Sequence, residues 1–142
     1  MILGSDPQQF ELSVAEVERG VPGVYAGGDV LLVVRVRMRG FSGAVDAWVL
    51  REAWTDFLSQ LRRLEQDRTG EAILQSMSPD ELRLRMFALD RAGHMAVEGE
   101  LTSYYSAAHR PESTTLKFGA IEIDPTALPA FVRELELAAP AA

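Results

Sequence analysis

Apolar and polar residues alternate along much of the chain, a pattern typical of half-buried β-strands. The clearest case is DVLLVVRVRM, in which every second residue from Val30 to Met38 is apolar. Shorter alternating runs begin at Phe10 and Phe41, and Gly40 permits a tight reversal before the last of them. These runs predict three strands. The segment RGVPGVYAGGD between the first two, rich in glycine, predicts an exposed, flexible connection.

The apolar period changes from two to 3.6 residues after Trp48, which predicts an amphipathic helix that ends near residues 67–70. Its apolar stripe comprises Trp54, Phe57, Leu58, Leu61 and Leu64. A second, short helix is predicted near the end of the chain. Asp124 can cap it, Pro125 suits its first position, and regular helix is expected from about Leu128. Its apolar positions are Leu128, Phe131, Val132 and Leu135.

Four further alternating runs lie between the helices: EAILQSM, ELRLRMFAL, HMAVEGELTSYY and STTLKFGAIEID. The last run changes phase, which predicts a bulge near Gly119. Because the connections between strands are short, neighbouring strands should be antiparallel. The sequence therefore predicts an α+β fold, a single antiparallel sheet of about seven strands with two helices packed on one face, in the order βββαββββα. We expect one domain over residues 1–142, with an ordered core at about 9–137 and a disordered C-terminal tail.

Composition narrows the classes of protein. The chain of 142 residues is 47% hydrophobic and 25% charged, without cysteine, which is typical of a globular protein in a reducing compartment. Neither a signal peptide nor an apolar run long enough to span a membrane is evident, so we expect a cytoplasmic protein with no membrane contact. The net charge of −7 and the single lysine disfavour nucleic acid and favour a basic protein partner, although acidity also serves solubility.

Motifs that would specify a reaction are missing from the sequence. His94 and His109 are too few and too far apart for the usual metal-ligand spacings. The chain has no G-x-S-x-G nucleophile motif and no phosphate-binding loop followed by lysine. We therefore expect no catalytic residue, no metal and no cofactor.

Charged residues of opposite sign occur on neighbouring predicted strands. Arg83 and Arg85 precede a turn, and Glu98 and Glu100 follow it, so antiparallel pairing would place the basic pair opposite the acidic pair. The simpler interpretation is a set of cross-strand ion pairs on a solvated face. A catalytic pair of carboxylates is the alternative, but nothing indicates burial that would separate their pKa values.

The stretch YYSAAHRPEST, residues 104–114, is the other candidate site. Tyr104, Tyr105, His109 and Arg110 combine contact area with hydrogen-bonding capacity, as binding surfaces do. The alternative is a surface connection between two strands. Together with Glu98 and Glu100, these four residues form our predicted binding site.

Five segments carry a resemblance to a known family over residues 9–136: FELSV, DVLLVVRVRM, VDAWVLREAWTDFLSQLRRLEQ, LRLRMFALDRAGHMAVEGEL and LKFGAIEIDPTALPAFVREL. They resemble small bacterial domains of the WapI immunity-protein type and a related uncharacterised domain group. The glycine-rich VPGVYAGGD departs from the family pattern. The resemblance implies a protein that neutralises a wall-associated toxin nuclease by binding it, with no catalysis of its own.

Two functions follow as hypotheses. The first is a non-enzymatic protein-binding domain, an immunity protein whose acidic surface meets a basic toxin. The second is a small-molecule-binding protein or enzyme with a pocket between the sheet and its helices. Nothing in the sequence determines the oligomeric state.

Overall fold

The chain forms two antiparallel sheets and two helices. The computed structural model describes residues 1–78, 80–107 and 110–141, and for residues 105–107, 110 and 111 it describes the backbone alone. The first sheet has the strand order β1 (Ile2–Ser5), β2 (Gln8–Val21), β3 (Tyr25–Met38) and β4 (Phe41–Val49). The second has the order β5 (Glu71–Gln75), β6 (Leu82–Ala88), β7 (Met95–Ala107) and β8 (Arg110–Ile123).

The prediction of a single sheet of about seven strands is wrong, whereas the α+β class and the antiparallel pairing are confirmed. Helix α1 (Arg51–Asp67) separates β4 from β5, and each sheet pairs only strands that are consecutive in the sequence. One backbone hydrogen bond, from Met77 N–H to Trp48 O at 2.7 Å, links the ends of the two sheets. The sequence also gave no indication of β1, which pairs with residues 8–11 of β2.

The prediction that both helices pack on one face of a single sheet is wrong. Helix α1 contacts β3 of the first sheet and β5 and β6 of the second, while α2 (Leu128–Ala138) packs on α1 and β2. Their apolar stripes are buried at all nine predicted positions. The Asp124 cap is confirmed, because its Oδ1 accepts a hydrogen bond from Thr126 N–H at 2.9 Å ahead of a short 3-10 helix at Pro125–Ala127.

Both sheets and both helices contribute to one hydrophobic cluster. The rings of Phe10 and Phe118 connect the sheets, with centroids 6.3 Å apart. A Cβ on Gly43 would lie 2.9 Å from Leu116 Cδ2, which shows how closely β4 approaches β8. Buried side chains of the helices, among them Trp54 and Phe131, belong to the same cluster as those of the sheets.

Packed residues extend beyond the predicted range of 9–137 at both ends. Leu3 in β1 is buried, and α2 continues to Ala138. The carbonyl oxygen of Ala139, itself buried, accepts a hydrogen bond from Trp54 Nε1 at 2.8 Å inside the core. The start of the predicted disordered tail is therefore attached to α1.

Each sheet extends one long hairpin beyond its neighbouring strands. In the first sheet, β1 and β4 flank only residues 8–11 of β2 and 30–38 of β3. In the second, β6 flanks only residues 95–101 of β7. The hairpins become two-stranded at residues 18–29 and, among the described residues, at 102–115. We call residues 12–29, which include the base on the three-stranded part, the first-sheet arm, and residues 102–116 the β7–β8 ribbon.

Candidate functional site

The predicted charge pairing across β6 and β7 is confirmed by the strand register. Arg83 lies opposite Glu100, and Arg85 lies opposite Glu98. The Nη1 of Arg85 donates to Glu98 Oε1 at 3.0 Å, and its Nε donates to Glu71 Oε2 of β5 at 2.5 Å. These cross-strand contacts require only the antiparallel register, so they need no catalytic explanation.

Arg85 is the centre of this network. The hydrogen bond that it donates to Glu71 and, to a smaller extent, the one to Glu98 raise the pKa of its guanidinium above the usual value. The guanidinium carbon also lies 4.1 Å from the ring centroid of Phe87, within the range of a cation–π contact. On the same face Glu100 pairs with Lys117 of β8 at 3.7 Å. Glu71 and Lys117 were not among the predicted site residues, although alternation along β5 and β8 assigns both to this face once the register is known.

An open groove of about 400 Å³ on the outer face of the second sheet is lined by Arg83, Arg85, Glu98, Glu100 and Lys117. Three cations and four carboxylates share the face, so its formal charge is −1: Arg83, Arg85 and Lys117 against Glu71, Glu98, Glu100 and Glu122. Glu98 and Glu100 remain accessible, with side chains 39% and 42% exposed. Their negative charge is nevertheless compensated within the sheet.

The predicted site at residues 104–114 is mostly strand rather than a loop. Strand β7 continues to Ala107 and β8 begins at Arg110, with Tyr104 opposite Ser113 and Tyr105 opposite Glu112. Thr102 and Thr115 anchor the base of the β7–β8 ribbon through a hydroxyl contact of 2.9 Å. Threonine and tyrosine favour strands, which accounts for the continued pairing.

The predicted binding residues of this ribbon are described to different extents. Tyr104 is 56% exposed. His109 lies outside the described residues, as do the side chains of Tyr105 and Arg110. The structure therefore places Tyr104 on the same strand as Glu98 and Glu100, beyond the part that β6 flanks.

His94 lies in the turn between β6 and β7, apart from the predicted binding residues. Its Nδ1 is 2.6 Å from Asp90 Oδ2, and Asp90 Oδ1 accepts hydrogen bonds from the backbone N–H groups of Ala92 and His94. The hydrogen bond to Asp90 raises the pKa of His94, and the same contact lowers the pKa of Asp90. This is a structural pair that holds a turn.

Two features are absent from the residues that the structure describes. No three His, Asp or Glu side chains there converge in a way that could hold a metal ion. Neither helix within that same part of the chain has the length and apolar character needed to cross a bilayer.

Comparison with known proteins identifies the family. The model of the immunity protein WapI-like family matches residues 1–139, almost the entire chain. Neither the curated proteins nor the solved structures include a match to this chain. Because the family model covers both sheets and both helices, the resemblance noted in the sequence is confirmed, and the chain belongs to the immunity protein WapI-like family.

Proposed function

We propose that this protein is a non-enzymatic immunity protein that neutralises a bacterial toxin by binding it. The observation that carries the proposal is the family match over residues 1–139. The arrangement of the second sheet fits this function, because its charged side chains form structural ion pairs and leave an accessible face.

The toxin in this proposal has a basic surface. The chain carries a net charge of −7, and complementary potentials between partners raise the rate of association. Such steering weakens as salt shortens the Debye length, from about 10 Å at about 0.1 M to about 3 Å at about 1 M. The association rate constant should therefore fall as salt increases.

We propose the β7–β8 ribbon and the adjoining Glu98 and Glu100 as a contact surface. Tyr104 is an exposed aromatic side chain on a ribbon that no third strand flanks among the described residues. Such side chains supply contact area at modest entropic cost. Tyr105, His109 and Arg110 are included in this contact surface because the sequence predicts them as binding residues.

The test is the kinetics of binding to a candidate toxin domain, chosen from the genes beside this one and purified in an inactivated form. Replacing both Glu98 and Glu100 with lysine should slow association, whereas Tyr105→Ala or Arg110→Ala should speed dissociation. Phe41→Ala is a matched control, since Phe41 is 72% exposed on the first sheet. Absence of binding by the unmodified protein would refute the proposed function, and unchanged kinetics in all the variants would remove this surface from it.

A further inference from the structure

The first-sheet arm carries an unusual concentration of exposed apolar side chains. Of the twelve large apolar residues exposed in the described part of the chain, four lie within nine positions of this arm. They are Val17 (39% exposed), Val21 (44%), Val24 (75%) and Tyr25 (47%). Clusters of this kind on a protein surface mark contact sites more often than single exposed apolar residues do.

The turn at the tip of the arm requires its proline and glycine, but it does not require the valine that follows them. Val24 N–H donates to Val21 O at 2.9 Å across Pro22 and Gly23, and Gly23 has a φ of 77°. A type II turn requires a positive φ at its third residue, and proline is common at its second. Val24 has no such backbone role, and its side chain remains in solvent.

The arm has a defined shape. A Cβ on Gly20 would lie 2.3 Å from Ala26 O, and one on Gly27 would lie 2.2 Å from Gly20 N, so the two strands approach closely at these glycines. The strand pairing within the arm is irregular at two places, where the register shifts between Val14 and Glu16 and between Val17 and Arg19. Tyr25 OH donates to Glu18 Oε1 at 3.1 Å, which joins the strands near the tip.

Acidic side chains at the base of the arm indicate the charge of its partner. Glu16 is opposite Leu31, and Leu31 is opposite Trp48, so these three residues share the outer face of the first sheet with Asp46. Leu31 and Trp48 are half-buried, and both carboxylates are exposed. Neither carboxylate forms an ion pair with any other described residue, in contrast to Glu98 and Glu100.

We infer that the first-sheet arm, together with the outer face at its base, is a docking surface for the toxin. Its partner surface would present arginine or lysine around an apolar recess that receives Val21 and Val24. The inference rests on the proposed function and does not require the β7–β8 ribbon to take part. A second copy of this chain is disfavoured as the occupant, since it would bring a net charge of −7 toward the same uncompensated carboxylates.

The test uses the full chain and the same inactivated candidate toxin domain. The double variant Val21→Ser with Val24→Ser should raise the Kd at least about tenfold, mainly through faster dissociation. Leu137→Ser is the matched control, because Leu137 is 78% exposed on α2, and it should leave the Kd unchanged. All these side chains are exposed, so each variant should fold, which circular dichroism will check.

A second pair of variants tests the charge at the base. Glu16→Lys with Asp46→Lys should lower the association rate constant at least about threefold at low salt, with the difference reduced at high salt. Asp56→Lys, on an exposed position of α1, is the control. Binding should also shift the fluorescence of Trp48, and the variant Trp48→Phe should lose that shift.

The outcomes separate the two proposals. Failure of the unmodified protein to bind the toxin domain would overturn the proposed function and this inference together. Tight binding that survives both sets of arm variants would overturn the inference and leave the proposed function standing. Sedimentation that shows a dimer of this chain, dissociated by the valine variants, would also overturn it.

Discussion

Asp90 and His94 hold the turn between β6 and β7 through a contact whose strength depends on pH. The interaction requires an ionised Asp90 and a protonated His94, and their hydrogen bond shifts the two pKa values in opposite directions. Because folding raises the pKa of His94, its contribution to stability is complete below the unfolded value of about 6.5 and is lost as pH rises through the higher folded value. The contribution of Asp90 is present above its unfolded pKa of about 3.9 and is lost as pH falls through its lowered folded value.

We therefore expect the free energy of unfolding to decrease through this pair as pH rises from the unfolded value of about 6.5 through the raised pKa of folded His94. His94→Asn should reduce that decrease, since asparagine does not titrate. The measurement is urea unfolding of both proteins at several pH values. An identical pH dependence in the variant would show that the pair does not contribute.

Helix α1 was predictable in detail because its evidence is local. An apolar period of 3.6 residues specifies the buried stripe whatever surface covers it, and all five predicted positions are buried. Alternation likewise assigned the inward residues of β3, from Val30 to Val36. The bulge near Gly119 was predictable from the change of phase, and it is confirmed by the register shift opposite residues 97–99.

The division into two sheets could not be predicted from the same signals. Alternation shows that a strand has a buried face but does not show which strand lies beside it, and β4 and β5 are separated by a 17-residue helix. The first-sheet arm and the β7–β8 ribbon could not be predicted as paired strands for a related reason. Glycine, proline and exposed side chains indicate a connection, whereas cross-strand hydrogen bonds maintain strand pairing up to Val21 opposite Tyr25 and Ala107 opposite Arg110.

Leu61 tests the assignment of α1 as the main core helix. Its side chain is fully buried, so Leu61→Ala should lower the free energy of unfolding by about 2 to 5 kcal/mol. Chemical denaturation measures this change, and Ser59→Ala on the exposed side of the helix is a control. A loss below about 0.5 kcal/mol would contradict the packing of this helix.

The C-terminal end of α2 should contribute to stability through Trp54. Ending the chain at Leu137 removes the Ala139 carbonyl that accepts from Trp54 Nε1, and an unpaired buried donor costs about 1 to 3 kcal/mol. Ending the chain at Pro140 keeps this acceptor and should have little effect. Equal stability of the two truncated proteins by urea unfolding would show that the hydrogen bond is unimportant.

The whole molecule has one hydrophobic cluster, although it has two sheets. Core residues of β2 and β8 meet at Phe10 and Phe118, and α1 contacts strands of both sheets. Neither sheet could keep its inner face away from water if the other unfolded. We therefore propose that residues of both sheets form a single cooperative domain.

A core variant that destabilises one sheet should consequently lower the stability of the other sheet by the same amount. In a Trp54→Phe background, Trp48 of the first sheet is the sole tryptophan and reports the unfolding of that sheet. Val97→Ala, in the core of the second sheet, should lower the free energy of unfolding by about 1 to 3 kcal/mol. If unfolding is cooperative, the urea midpoint from Trp48 fluorescence falls by the same amount as the midpoint from far-ultraviolet circular dichroism, because both probes follow one transition. A Trp48 midpoint that does not move would mean that the second sheet unfolds alone, and the chain would then consist of two domains.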